Sequence, residues 1–415
     1  MISKKSVTDF QFADHPQKLE FADYQNAKEK MLAHFKAKPD VLNIYSYGHI
    51  SARQCSPGIS DIDAIVVIDK LVQTKPQDFR MFANPTPADR YIFTHGLAYP
   101  VTAWAFRHLR SYFYFFNTME CETGTPLPIV EPSAEEVPLA CLTTVLGGLP
   151  IWSYRLAGYW TDGYLPIRRV LKILSGHRYR IEKLKILGYT DPAWDQFSQD
   201  IVALRQAWFE LPSGVRNERL VDLTRAGLEI HQQTAAALAE FMSQQGFNKM
   251  LESHPEEMVL ELNGNRLVLF SDRLFKKLEV SLIQFPAFYR WLPLRVQTML
   301  CSSKWGVIVF PRVLAAYFYI LADFDNEFGR FVRARLFPSL SGRVRSGVTP
   351  FYAGFEKQAQ IHDHYWQFLL ENHLRFSCST LLSQFIEYQY PEVFWVRMLN
   401  GINRRAALAR LRAGV

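Results

Sequence analysis

Paired cysteines are missing from this sequence. Its five, at positions 55, 121, 141, 301 and 378, are odd in number, widely spaced and never arranged as CxxC. That pattern excludes a disulfide framework and a cysteine-based zinc site, and it fits a reducing cytoplasm. An apolar leader is also missing: the opening MISKKSVTDFQFADH is interrupted by Asp9 and Asp14, so export is not expected. Long apolar runs are scarce. The best, Trp305 to Ala322, carries Pro311 and Arg312 at its middle and reads as buried core, its aromatic content pointing at most to peripheral membrane contact. Charge of one sign is not in large excess either, 47 Lys and Arg against 40 Asp and Glu leaving +7 over 415 residues. The basic residues are scattered, including the tail Arg404, Arg405, Arg410 and Arg412, and no nucleic-acid motif accompanies them, so nucleic acid is not an expected partner. Repeats and low-complexity tracts are absent.

What remains is an ordinary globular mixture, 48% hydrophobic and 21% charged, in a chain longer than one core usually holds. Leu19, Phe21, Tyr24, Ala27, Met31, Leu32 and Phe35 recur at helical spacing until Pro39. Val41 to Tyr47 and Ile62 to Ile68 read as strands with a turn-rich stretch, Gly48 to Ser60, between them. Tyr91 to His95 and Val101 to Phe106 are candidate strands, or a strand and a helix. Pro126 to Pro138 holds four prolines and reads as a connector. Helical periodicity marks Ile167 to Leu187, Phe197 to Glu210 and Leu220 to Gln245, with breaks at Pro192 and Pro212. In MVLELNGNRLVLF, from Met258 to Phe270, Asn263 and Gly264 join two alternating runs as a β-hairpin. From Leu282 onward apolar residues return with helical spacing. The expectation is an α+β fold: a mixed-sheet core over 1–150, a helical domain over 151–250, and a mostly helical region over 251–415 that opens with the hairpin.

The chemistry concentrates in YGHISARQCSPGISDIDAIVVI, from Tyr47 to Ile68. A strand ends in a glycine turn, and the chain returns with two aspartates around one apolar residue at the start of the next strand. Side chains alternate along a strand, so Asp61 and Asp63 share a face while Ile62 packs behind them. Two carboxylates this close repel unless a divalent cation lies between them. Magnesium suits them, since it accepts carboxylate oxygens and bridges to substrate phosphates, and backbone N–H groups after Gly48 suit phosphate charge.

This stretch resembles the signature of the DNA polymerase beta type nucleotidyltransferase superfamily over the first 100 to 150 residues. Tyr47 and Gly48 match its start, Asp61, Ile62, Asp63 and Ala64 its end, and Pro57, Gly58, Ile59 and Ser60 its lead-in. The resemblance implies a mixed-sheet core that transfers a nucleoside monophosphate from ATP or another NTP, with Asp61 and Asp63 on Mg2+ and with Gly48, His49, Ser51 and Ser60 near the phosphates. His49 departs from the glycine or serine usual at that place, with Ser51 as its substitute. A third carboxylate, usually on a later strand and acting as base, has no clear match. Asp89 is the best placed, Glu120 and Glu122 follow, and His95 is an alternative base.

Within Ile167 to Leu187, Arg168, Arg169 and Lys172 are candidates for a cleft wall holding the triphosphate or an anionic acceptor; a solvated face is the plainer reading. His362, His364 and His373 lack metal-site partners at suitable spacing. Asp323, Asp325 and Glu327 lack the calcium-loop pattern and read as a solvated helix terminus. The leading expectation is a cytoplasmic, magnesium-dependent nucleotidyltransferase whose partners are a nucleotide and an unidentified hydroxyl or phosphate acceptor. The alternative is a catalytically degenerate protein of the same fold retained for binding.

Overall fold

The computed structural model describes residues 4–48, 55–68, 84–94, 98–112, 119–145, 156, 159–160, 163–247, 259–262, 265–268, 319–336, 354–361 and 363. Over these residues the chain is α+β. The N-terminal part runs β1 (Gln11–Ala13), α1 (Phe21–Lys36), β2 (Val41–Tyr47), β3 (Asp63–Ile68), α2 (Pro87–Ile92), β4 (Tyr99–Thr102), α3 (Ala103–Arg107), α4 (Leu109–Tyr112) and β5 (Met119–Thr123).

Helix α1 forms where the sequence spacing requires it. Its buried residues Tyr24, Ala27, Met31 and Phe35 form one stripe. The carboxylate of Asp23 accepts the backbone N–H of Glu20 at 2.9 Å, closing the first turn, and the helix stops short of Pro39.

Four strands form a mixed sheet in the order β4-β3-β2-β5. β2 is antiparallel to both β3 and β5, and β4 is parallel to β3. As an inner strand covered on both sides, β3 is buried from Ala64 to Ile68, which accounts for its unbroken apolar run. On one face Tyr45, Ile65, Val67 and Val101 pack with Phe106 and Leu109, and Tyr45 stacks on Phe106 at 4.2 Å between centroids. α1 lies against β2 and β5, where Lys28 pairs with Glu122 at 2.8 Å and Ser46 donates to the same carboxylate.

The stretch from Tyr91, a candidate strand on composition, continues a helix. Thr86 and Asp89 form a capping box around Pro87, and the helical start overrides the β-favouring YIF that follows. Val101 to Phe106 divides at Thr102, whose hydroxyl accepts the Ala105 N–H at 3.1 Å and starts α3. The proline-rich connector is pinned to the sheet by Leu127, whose N–H donates to the Tyr45 hydroxyl at 2.8 Å. It leads into a helical stretch, 136–145.

A short strand β6 (Tyr164–Pro166) pairs in parallel with β1 and feeds α5 (Ile167–Ile186), α6 (Pro192–Gln206) and α7 (Ser213–Gln244). The two prolines that break the periodicity sit at helix starts: Pro192 follows the cap Asp191, and Pro212 is itself the residue before α7. Leu171, Leu174, Trp194, Phe197, Ile201 and Leu228 form the core of the three helices. That core also holds His177, Arg180 and His231, all buried. The Arg180 guanidinium lies 2.9 Å from His231 Nδ1 and 3.5 Å from His177 Nδ1. Arginine only donates, so both imidazoles accept through Nδ1 and carry their proton on Nε2. Burial pushes both rings well below the usual histidine range, with the Arg180 charge adding to it.

Beyond 250, β7 (Val259–Leu262) and β8 (Asn265–Val268) pair antiparallel with Leu262 opposite Asn265, the hairpin expected around Asn263 and Gly264. Those two turn residues lie outside the described residues. The acidic run Asp323, Asp325 and Glu327 stands at the start of α8 (Glu327–Leu336), where Asn326 accepts the Gly329 N–H at 2.7 Å. Asp323 is buried, not solvated as the sequence suggests. The helical stretch 354–361 packs back on the N-terminal part through Gln358, whose side chain meets Thr143 at 3.0 Å. Among the described residues no helix is long and apolar enough to cross a membrane.

Candidate functional site

The pairing of Tyr47 with Asp63 sets the geometry. It brings the end of β2 and the start of β3 together at one end of the sheet, so that Gly48 and the Asp61 to Asp63 stretch are neighbours. Gly48 has a φ of +87°, and a Cβ built there would meet nothing within 4 Å. A glycine is needed for the turn, and the space beside it is open.

The approach to the aspartates is a tight turn from Ser56 to Ser60. Ser60 N–H donates to the Ser56 carbonyl at 2.9 Å, and the Ser60 hydroxyl accepts the Ser56 N–H at 2.9 Å. Two tyrosines clamp it. Tyr24 donates to the Ser60 carbonyl at 2.7 Å and accepts from Gly58 N–H at 3.0 Å; Tyr91 donates to the Gly58 carbonyl at 2.6 Å. Two arginines from the helical unit complete the clamp. Arg168 on α5 donates to the carbonyls of Ser60 at 3.3 Å and Tyr91 at 2.6 Å, with its guanidinium 3.6 Å over the Tyr91 ring. Arg205 on α6 donates to the Ser60 hydroxyl at 2.8 Å and to Ser175; burial draws its guanidinium down to about 10. Cys55 opens the turn, and burial pushes its thiol up to about 11, which removes it as a nucleophile near neutral pH.

Asp61 leaves this clamp 9% exposed and pairs with Lys172, one turn beyond Arg168 on the same face of α5. Lys172 also donates to Thr94 Oγ1 at 3.2 Å. Asp63 is half-buried at the first position of β3. Its charge acts on Tyr179, further along α5, whose phenol is pushed up mainly by burial.

The remaining sequence candidates divide sharply. Ser60 and Arg168, expected at the phosphates, are buried, and the bonds above engage both of them in holding the turn. Arg169, about 100° around the helix from Arg168, is exposed and reaches the Tyr159 hydroxyl at 3.5 Å. Asp89, expected as a third acid on a strand, is instead on α2. Its carboxylate accepts from Thr86 and lies 3.4 Å from Lys30, and those capping bonds hold it below the usual carboxylate range against the opposing effect of burial. Glu122 is engaged by Lys28 and Ser46 on the α1 side of the sheet. His49, Ser51, His95, His362, His364 and His373 lie outside the described residues. Tyr24, Tyr91, Thr94 and Arg205, which build the site, carry no local sequence signal; Arg205 reaches Ser60 across 145 positions.

Asp61 and Asp63 are the residues here that could hold a magnesium ion, which commonly takes one or two protein carboxylates and completes its shell with water and substrate phosphates. Among the described residues no group of three His, Cys, Asp or Glu gathers into a larger metal site. β4, the strand beside β3, contains no acid in Tyr99–Thr102. No protein-family model, curated protein or solved structure matches the chain.

Proposed function

We propose that the chain is a magnesium-dependent nucleotidyltransferase that moves a nucleoside monophosphate from ATP or another NTP to a hydroxyl or phosphate acceptor. The observation carrying this reading is the Tyr47–Asp63 register, which sets a glycine with positive φ and open space beside it against a carboxylate pair. Asp61 and Asp63 would hold the metal, which when bound supplies charge neutralisation to the phosphates. Gly48 leaves room for a phosphate chain to approach the backbone, and Lys172 offers an ammonium beside it. The clamped turn fixes where Asp61 stands, which matters where catalysis is mainly positioning. Free, widely spaced thiols at Cys55, Cys121 and Cys141 agree with a cytoplasmic setting.

A second reading, a nucleotide-binding protein of the same fold without transferase activity, is favoured by one feature, the lack of an acid on β4 combined with the use of Asp89 as a cap.

Calorimetric titration of ATP and the other NTPs with magnesium tests both. The expected result is magnesium-dependent binding by the wild type, reduced at least about a hundredfold in Asp61→Ala and in Asp63→Ala, with circular dichroism showing that both variants remain folded. Absence of binding by the wild type would overturn the nucleotide assignment. Incorporation of an α-labelled nucleotide into any acceptor would remove the second reading.

A further inference from the structure

The Lys172–Asp61 pair stands where the metal reading needs a ligand, and it is built with care. Lys172 rises from α5 one turn after Arg168, whose guanidinium is fixed by two carbonyls and the Tyr91 ring. The ammonium meets both the Asp61 carboxylate and the Thr94 hydroxyl, and the side chains of the pair are only 24% and 10% exposed. Water screens such a pair weakly. A bare divalent cation entering here has to break it and leave an ammonium beside a dication in a half-buried space. A cation arriving on a triphosphate brings a net negative charge, and the flexible lysine stem lets the ammonium transfer from carboxylate to phosphate oxygen as the metal takes its place.

Resting on the proposed nucleotide reading, we propose that Lys172 is an internal counter-ion for Asp61 that makes the site select the metal–triphosphate complex over the free cation. Specificity then comes from a repulsive element as much as from attraction. The balance is purely electrostatic: no bond is made, and the ammonium exchanges one anionic partner for another.

The test uses the full chain and Mn2+ as a magnetic stand-in for magnesium, with free Mn2+ followed by electron paramagnetic resonance, first without nucleotide and then with a non-hydrolysable ATP analogue. Wild type is expected to bind Mn2+ alone weakly. Lys172→Met should bind Mn2+ alone about tenfold more tightly and Mn2+ with the analogue about tenfold more weakly, opposite signs that simple structural damage does not produce. Lys172→Arg, which keeps a cation beside Asp61, should retain the wild-type rejection of bare Mn2+. Unchanged or weaker Mn2+ binding in Lys172→Met overturns the proposal. If Asp61→Asn and Asp63→Asn leave Mn2+ binding untouched with and without the analogue, the metal binds elsewhere and the underlying reading falls as well. If those variants abolish binding while Lys172→Met shows no gain, only the counter-ion role falls.

Discussion

Gly58→Ala is expected to destabilise the protein by about 3 kcal/mol or more, because two independent penalties coincide. Gly58 has a φ of +81°, where an alanine is strained by about 1–2 kcal/mol, and its Cβ would stand 1.9 Å from the Gln17 carbonyl oxygen and 3.0 Å from the Phe209 ring. The backbone carbonyl has no easy escape. Gln17 N–H donates to the Tyr91 hydroxyl at 2.8 Å, the same hydroxyl that donates to Gly58, so moving one strand of this contact disturbs the clamp on both sides. Gly48→Ala is the matched control. Its φ of +87° imposes similar backbone strain, yet its Cβ meets open space, so a loss of about 1 kcal/mol is expected. Denaturant unfolding of the two variants gives the comparison directly; equal losses would show that the turn yields at Gly58. Nucleotide titration of Gly48→Ala, which stays folded, then reports on the opening itself.

The second large effect is a loss of stability in mild acid. His177 and His231 are fully buried and neutral, and their folded-state proton affinity lies well below the ordinary value of 6.5. Groups depressed in this way bind more protons unfolded than folded. Their stabilising contribution is therefore complete above about pH 6.5 and is lost as pH falls below it, by up to about 1.4 kcal/mol per pH unit for each ring. Melting temperatures measured between about pH 7 and pH 5.5 should fall steeply, before most carboxylates titrate. His231→Gln removes one titrating ring while leaving an amide oxygen to accept from Arg180, and it should flatten the profile by about half. A wild-type profile flat across this window would mean that the rings are already protonated or are reached by water.

Much of the architecture is legible in residue spacing, and the reasons for the gaps are physical. α1, β2 and β3 follow from period 3.6 and from apolar strand runs. Thr86-Pro87-Ala88-Asp89 is a helix-start signature of its own, but the β-favouring residues after it pull the reading of Asp89 toward a strand. The aspartate pair is legible because its members lie two residues apart beside an apolar strand run, although only Asp63 falls within the strand and Asp61 stands just before it. Arg168 and Ser60 show the opposite case. A sequence displays a charge or a hydroxyl without its burial, and the partners that claim these two lie 108 and 145 positions away. Lys172 meets Asp61 because helical phase sets it one turn beyond Arg168 on the same face of α5, a link that spacing can suggest, whereas Arg205 reaches the turn from a different helix.

The parallel pairing of β1 with β6 bears on the order of assembly. Gln11, Phe12 and Ala13 are made some way ahead of their strand partners Tyr164, Leu165 and Pro166, and Lys5 donates to the Trp160 carbonyl 155 positions away. During synthesis β1 has to wait for its partner until β6 has emerged. Arg168 can reach the aspartate turn only then, and Arg205 later still, so the site is completed late.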